Sequence, residues 1–157
     1  MKKSILIRFG EIFLKGKNYL FFENTLYKNI KWRLKEFDCE LTRTAGRFIV
    51  ENFEDDDLDD IIDAIKCVFG VVSLSVAYEI DTTLDNIVEI CKTIKLVEKT
   101  FKVEVKRADK RFEMPSNKLE ALLGGIILEN NPDTKVDVHT PKQEVYVEIR
   151  QNGKSYV

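Results

Sequence analysis

A basic segment in the second half of the chain contains the residue types that bind phosphate. The segment KRADKRFEMPSNK, residues 106–118, follows a predicted strand and ends at a predicted helix start. A helix start favours anions because its first backbone N–H groups are unpaired, and arginine presents a planar fork to phosphate. The residues that we expect to bind a polyanion here are Arg107, Lys110, Arg111, Asn117 and Lys118.

Phe112, Gly124 and Arg150 are further candidates near this segment, and the first two have two interpretations each. Phe112 suits either base stacking or core packing. The pair Gly124-Gly125 weakens the helix that it interrupts, so we expect either close packing on a strand or backbone access for a nucleic-acid strand at Gly124. Arg150, at the end of another predicted strand, is a weaker phosphate-binding candidate.

The stretch RFGEIFLKGKN, residues 8–18, also combines glycine and lysine before a helix. Lys15, Lys17 and Asn18 therefore suit a second contact with phosphate. The same residues are compatible with a plain turn, in which the lysines are solvated and Asn18 is the helix N-cap.

Charge is strongly segregated along the 157 residues, although the net charge is only −2. Residues 1–50 carry 11 basic and 5 acidic side chains, residues 51–98 carry 3 and 13, and residues 99–118 carry 7 and 3. Two basic zones thus flank an acidic one, which favours a polyanionic partner.

Several other classes of function lack their residues in this sequence. Cys39, Cys67 and Cys91 include no CxxC pair, and His139 is the sole histidine, so we expect neither a disulfide framework nor a metal site. Cys67 and Cys91 fall on apolar helix faces and are predicted core residues. No catalytic residues are predicted, since GxSxG, Walker and Rossmann motifs are missing. With no membrane-length apolar run and no signal peptide, we expect a cytoplasmic protein.

Hydrophobic periodicity predicts an α+β protein of two modules. Residues 1–80 show the order βαββαβ, typical of a ferredoxin-like domain, with alternating strands at 4–10 and 71–80. Residues 81–157 form a second, α/β module that begins at an Asp81-Thr82 helix cap and contains strands at KVDVHT and EVYVEIR. Asn152-Gly153 predicts a hairpin, and the chain stops inside the next strand, so we expect a truncated or very short final strand.

Two motifs resemble those of a known family. RFGEIFLKGKNYLFF resembles the opening motif of the tRNA 4-thiouridine synthetases, the sulfurtransferases also tied to thiamine biosynthesis. VKRADKRFEMPS, LLGG and KVDVHTPKQEVYVEIR resemble a THUMP domain, an RNA-binding module of tRNA-modifying enzymes. The resemblance covers essentially the whole chain.

The resemblance implies a ferredoxin-like domain at 1–80 and a THUMP RNA-binding domain at 81–157. It implies that this region docks the tRNA acceptor stem and 3′ CCA end while a separate ATP-pyrophosphatase domain thiolates a uridine. ATP and the persulfide donor, a cysteine desulfurase or rhodanese, would then belong to other domains or chains, so no cofactor is expected here. The three cysteines are not expected to carry sulfur.

Two alternatives remain open. The chain could be a stand-alone THUMP adaptor that delivers tRNA to another modification enzyme. It could also be a ferredoxin-like regulatory or dimerisation module, for which an acidic pocket and no affinity for RNA would be expected.

Overall fold

The computed structural model describes residues 2–10, 18–44 and 46–157. The chain folds as two compact units, Lys2–Ala77 and Tyr78–Val157. Both units combine helices with a sheet, which confirms the predicted α+β class.

The first unit has the predicted order βαββαβ. Its strands are β1 (Lys2–Phe9), β2 (Glu40–Thr44), β3 (Arg47–Glu51) and β4 (Val71–Asp81). Its helices are α1 (Tyr19–Arg33) and α2 (Leu58–Lys66), the latter preceded by a 3₁₀ turn at Asp55–Asp57. The strand order is β2-β3-β1-β4, with β3 antiparallel to both β1 and β2, as in ferredoxin-like sheets.

The core of the first unit joins one face of α1 and α2 to the sheet. Leu26, Ile30 and Leu34 are buried at intervals of four, the spacing that places side chains on one face of a helix. They share this core with Ile61 and Ile65 of α2. Burying these apolar stripes, rather than helix propensity, is what stabilises such helices.

Burial along the strands differs from the predicted alternation. We predicted one core face for β1, but Ser4 and Leu6 are buried along with the opposite face. In β4, Val72 is 69% exposed and Val76 is 41% exposed, although both belong to the apolar set of the alternating pattern predicted for residues 71–80. Alternation shows which residues share a face of a strand, but it does not show which face another element covers.

The second unit contains the remaining elements. Its helices are α3 (Leu84–Thr93) and α4 (Ser116–Asn130). Its strands, besides the end of β4, are β5 (Thr100–Arg107), β6 (Lys135–Val136), β7 (Gln143–Ile149) and β8 (Lys154–Tyr156). The order is β4-β8-β7-β5-β6, and β5 pairs in parallel with both β6 and β7. The helices pack on the sheet through a core that includes Phe101, Leu119 and Ile127.

Two local predictions in the second unit were wrong. The N-cap of α3 is Thr83, whose hydroxyl accepts from the Asn86 N–H at 3.1 Å, and not the predicted Asp81-Thr82. The predicted strand KVDVHT is limited to the two residues of β6. Its continuation turns because the Asp137 carboxylate accepts from the N–H groups of His139 and Thr140, both at 3.0 Å.

The cysteines occupy three different environments. Cys91 is fully buried in the second core, as predicted, and burial raises the pKa of its thiol to about 12. Cys67 is exposed, so its predicted core position was wrong, and Cys39 is partly buried.

Within the described ranges, no group of three His, Cys, Asp or Glu residues could hold a metal ion. None of the helices in those ranges has the length and apolar character needed to cross a membrane.

The glycine pair in α4 is not explained by close packing, which was our predicted structural role for it. A Cβ added at Gly124 or Gly125 would meet no atom within 4 Å outside the helix backbone next to it. Gly125→Ala should therefore raise the free energy of unfolding by about 0.4–1 kcal/mol, because alanine restricts the unfolded chain and suits a helix. The measurement is urea unfolding followed by circular dichroism.

Gly153→Ala is the matched control for this substitution. Gly153 also has open space around its Cβ position, but its φ of +76° disfavours alanine, so stability should fall. A loss of stability in Gly125→Ala would show that the position is constrained by something other than the helix.

Candidate nucleic-acid interface

The parallel pairing of β5 with β7 brings the ends of both strands to one edge of the sheet. Arg107 and Ile149 are partners in the register, and the Ala108 N–H donates to the Ile149 carbonyl at 2.8 Å. The side-chain amide of Gln151 donates to the Ala108 carbonyl at 3.2 Å. The loop after β5 is therefore tied to the turn after β7. We call this loop, that turn and the first turn of α4 the basic edge (residues 107–118 and 150–153).

The start of α4 lies at the same edge. The Val105 N–H near the end of β5 donates to Glu120 Oε1 at 3.0 Å, and the buried Leu119 anchors the first turn to the core. The N-cap residue is Pro115, no side chain caps the helix, and its first turn contains no acidic residue. No acidic side chain in that first turn therefore offsets the positive end of the helix dipole.

Arg107 braces the loop from within. Its Nε donates to Ser116 Oγ at 3.2 Å, and its Nη1 donates to the carbonyls of Met114 at 3.1 Å and Phe112 at 3.4 Å. The side chain is partly buried. This guanidinium consequently connects the end of β5, the loop and the first residue of α4.

Arg111 is held by an acidic neighbour that sequence reasoning did not single out. Its Nε and Nη2 donate to the two carboxylate oxygens of Asp109 at 2.9 and 2.8 Å, and its backbone N–H donates to the same group at 3.0 Å. These bonds lower the pKa of Asp109 to about 2. The Arg111 side chain is nevertheless 82% exposed, so its outer surface is accessible. The signal in the sequence was the Asp-Lys-Arg spacing of a tight turn.

Lys110, Asn117 and Lys118 are the accessible polar residues of the edge. All three are exposed, and their side chains have no hydrogen bond or ion pair with another described residue. Phe112 is partly buried against the second core, so the structure shows the packing alternative for its ring. The edge therefore offers two lysines, an amide and a helix dipole to a ligand.

Comparisons with known proteins identify both units. Residues 4–75 match the model of the ThiI ferredoxin-like domain, and residues 78–154 match the model of the THUMP domain. The chain therefore contains a ThiI ferredoxin-like domain followed by a THUMP domain.

Proteins similar to this chain are named for sulfur transfer to tRNA. It is 42% identical to a probable tRNA sulfurtransferase of Caldanaerobacter subterraneus, with 99% of the chain and 41% of that protein aligned. It is 43% identical to a probable tRNA sulfurtransferase of Alkaliphilus oremlandii, over 98% of the chain and 41% of that protein. The chain thus spans about 41% of the length of these relatives.

A solved structure is also similar to nearly the whole of this chain. A 4-thiouridine synthetase crystallised with RNA and ATP is similar with a TM-score of 0.78 and 30% identity. The similarity covers 99% of this chain and 40% of that one.

The other predicted site residues either lie apart from the accessible part of the basic edge or already contact other side chains. Arg150 Nε donates to Glu148 Oε1 at 3.1 Å, and its guanidinium carbon lies 5.0 Å from the centre of the Tyr156 ring. Gly124 is buried eight residues into α4, about 12 Å along the axis from Ser116. It is therefore not beside the first turn of the helix.

The predicted phosphate contact at the opening motif belongs to the ferredoxin-like domain. Lys15 and Lys17 lie outside the described residues. Asn18 is exposed at the N-cap of α1, as the turn interpretation predicted, but its side chain makes no capping hydrogen bond.

Arg107→Lys tests the bracing role of Arg107. Lysine keeps the charge but cannot donate to two carbonyls and a hydroxyl in one plane. We expect the free energy of unfolding to fall by about 1–3 kcal/mol, measured by urea unfolding. Arg111→Lys, at an exposed position of the same loop, should leave the unfolding midpoint unchanged. Equal midpoints for both variants would contradict the bracing role.

Proposed function

We propose that this chain is the tRNA-binding region of a tRNA 4-thiouridine synthetase, and that its basic edge binds the phosphates of the acceptor stem and 3′ CCA end. The observation that carries the proposal is the meeting of exposed lysines with the uncapped, acid-free start of α4. Positive side chains and a helix N-terminus are complementary to phosphate. The RNA in the solved structure of a related 4-thiouridine synthetase supports the choice of ligand.

In this proposal, the residues of the basic edge have different roles. Lys110, Lys118 and Asn117 contact phosphates or terminal bases directly. Arg111 binds through the outer side of its guanidinium, while Arg107 holds the loop in shape. Lys15, Lys17 and Asn18 contribute a second contact from the ferredoxin-like domain, and Arg150 and Gly124 remain weaker candidates.

Thiolation itself is proposed to occur on another domain. An ATP-pyrophosphatase domain, in the same polypeptide or a partner, would activate the uridine, and a cysteine desulfurase or rhodanese would supply persulfide sulfur. The chain's share of about 41% of its relatives' length is consistent with such additional domains. We place this reaction in the cytoplasm, where tRNA is available.

Lys110→Ala tests the position of the RNA. If Lys110 neutralises a phosphate, tRNA affinity should fall, and the slope of log K against log salt should become shallower by about 0.7–0.9. Filter binding at several salt concentrations measures both quantities. Lys135→Ala is the matched control, because Lys135 is also exposed but lies beside the opposite end of β5.

Two outcomes of this experiment would contradict the proposed site. One is an equal effect of the two lysine substitutions, since generic charge loss would then explain both. The other is an unchanged Lys110→Ala penalty when the CCA end is removed, because the proposed contacts include the single-stranded terminus.

Asp109→Asn should strengthen binding and steepen the salt slope. Asparagine can still accept the Arg111 N–H, but it neither repels phosphate nor holds the guanidinium as an ion pair. Asp133→Asn, near the opposite end of β5, should have little effect.

Because the pKa of Asp109 is depressed to about 2, its interaction with Arg111 is present above the ordinary aspartate pKa and is lost only as pH falls towards about 2. Binding by the unmodified chain should therefore show no Asp109 titration between neutral and mildly acidic pH.

A further inference from the structure

A cleft in the ferredoxin-like domain is distinct from the basic edge. It lies where α1 and α2 end, and its volume is about 270 Å³. The residues that line it are Asn29, Trp32, Arg33, Cys67, Val68 and Phe69. Both aromatic side chains of this lining are open to solvent, with Trp32 62% exposed and Phe69 86% exposed.

Two cations lie close to the ring of the single tryptophan of the chain. Lys35 Nζ lies 4.3 Å from the centre of the Trp32 ring, and the guanidinium carbon of Arg33 lies 5.9 Å from it. Lys28 and Lys31 are exposed on the same helix. None of these four cations forms an ion pair with a carboxylate in the ranges that the structure describes.

Helix stability alone does not account for this group. Lys31 and Arg33 lie in the last turn of α1, where cations favour the negative end of the helix dipole. That effect gives no reason for an exposed tryptophan or for the polar groups in the cleft. The acidic side chains of α2 lie mainly towards its start, and Asp63 is paired with Lys66. The cleft is thus an aromatic surface bordered by unpaired positive charge.

We propose that this cleft binds an unpaired nucleobase of the RNA. Trp32 stacks on the base, and Arg33 and Lys35, which lie close to its ring, bind the adjoining phosphates. The Asn29 amide offers both a donor and an acceptor to the edge of the base. This inference rests on the proposed function, but it concerns a contact outside the basic edge.

Trp32 fluorescence provides a direct test, because this chain contains no other tryptophan. A short single-stranded RNA should quench the tryptophan emission in a saturable way, while a blunt RNA duplex of the same length should not. Stacking brings a base into van der Waals contact with the indole, and a paired base inside a duplex cannot make that contact. Equal quenching by the two RNAs would overturn the proposal.

Affinity of the same single-stranded RNA, measured by anisotropy of a labelled strand, provides the second readout. Trp32→Ala should weaken binding by about 5- to 100-fold, and Trp32→Phe should recover most of the loss because phenylalanine also stacks. Val97→Ala is the control, since Val97 is an 89% exposed apolar residue of the THUMP domain. Arg33→Ala retains Trp32 and should also weaken binding. It therefore provides an independent test if Trp32→Ala does not fold.

Filter binding with tRNA separates this inference from the proposed function. If the chain binds tRNA, but Trp32→Ala and Arg33→Ala bind the single strand as tightly as the unmodified chain, the nucleobase site is wrong and the proposed function stands. If the chain binds no tRNA, both are wrong.

Discussion

The parallel pairing of β5 with β7 is the constraint on which the basic edge depends. Parallel strands require a long crossover between them, and here that crossover contains α4. The helix must return over the sheet, so its start lies where β5 ends. A loop, a turn and a helix dipole from distant parts of the sequence consequently meet at one place. No single local motif contains that arrangement.

The cations of the basic edge differ in how many of their hydrogen-bond donors are already used by neighbouring groups. Arg107 directs its donors at carbonyls of its own loop, and Arg111 is paired with Asp109. Lys110 and Lys118 have no comparable partner among the described residues. Arg107 thus organises the loop and Arg111 keeps only its outer surface accessible, while the lysines present point charges on flexible stems.

Much of the fold could be predicted because apolar spacing reports burial directly. The stripes Leu26, Ile30 and Leu34 on α1 and Leu119, Leu123 and Ile127 on α4 each occupy one face of their helix. The failures share another cause: Cys67 and Val72 are exposed because of which surfaces neighbouring elements cover, a property of the whole unit.

The candidate site was less predictable in detail than in location. Its basic residues and helix start were visible in one segment of sequence. The bracing bonds of Arg107 were not, because they go to backbone carbonyls, which every residue type carries. Gln151 was missed for the same reason, since its partner is the Ala108 carbonyl.

The crossover also affects the order in which the protein becomes functional on the ribosome. The loop after β5 leaves the ribosome well before Ile149, its hydrogen-bonding partner in β7, has been synthesised. The ferredoxin-like domain precedes it and can fold first, as N-terminal domains generally do during synthesis. A nascent chain that has not reached β7 therefore carries the lysines and arginines of the loop without the strand that arranges them.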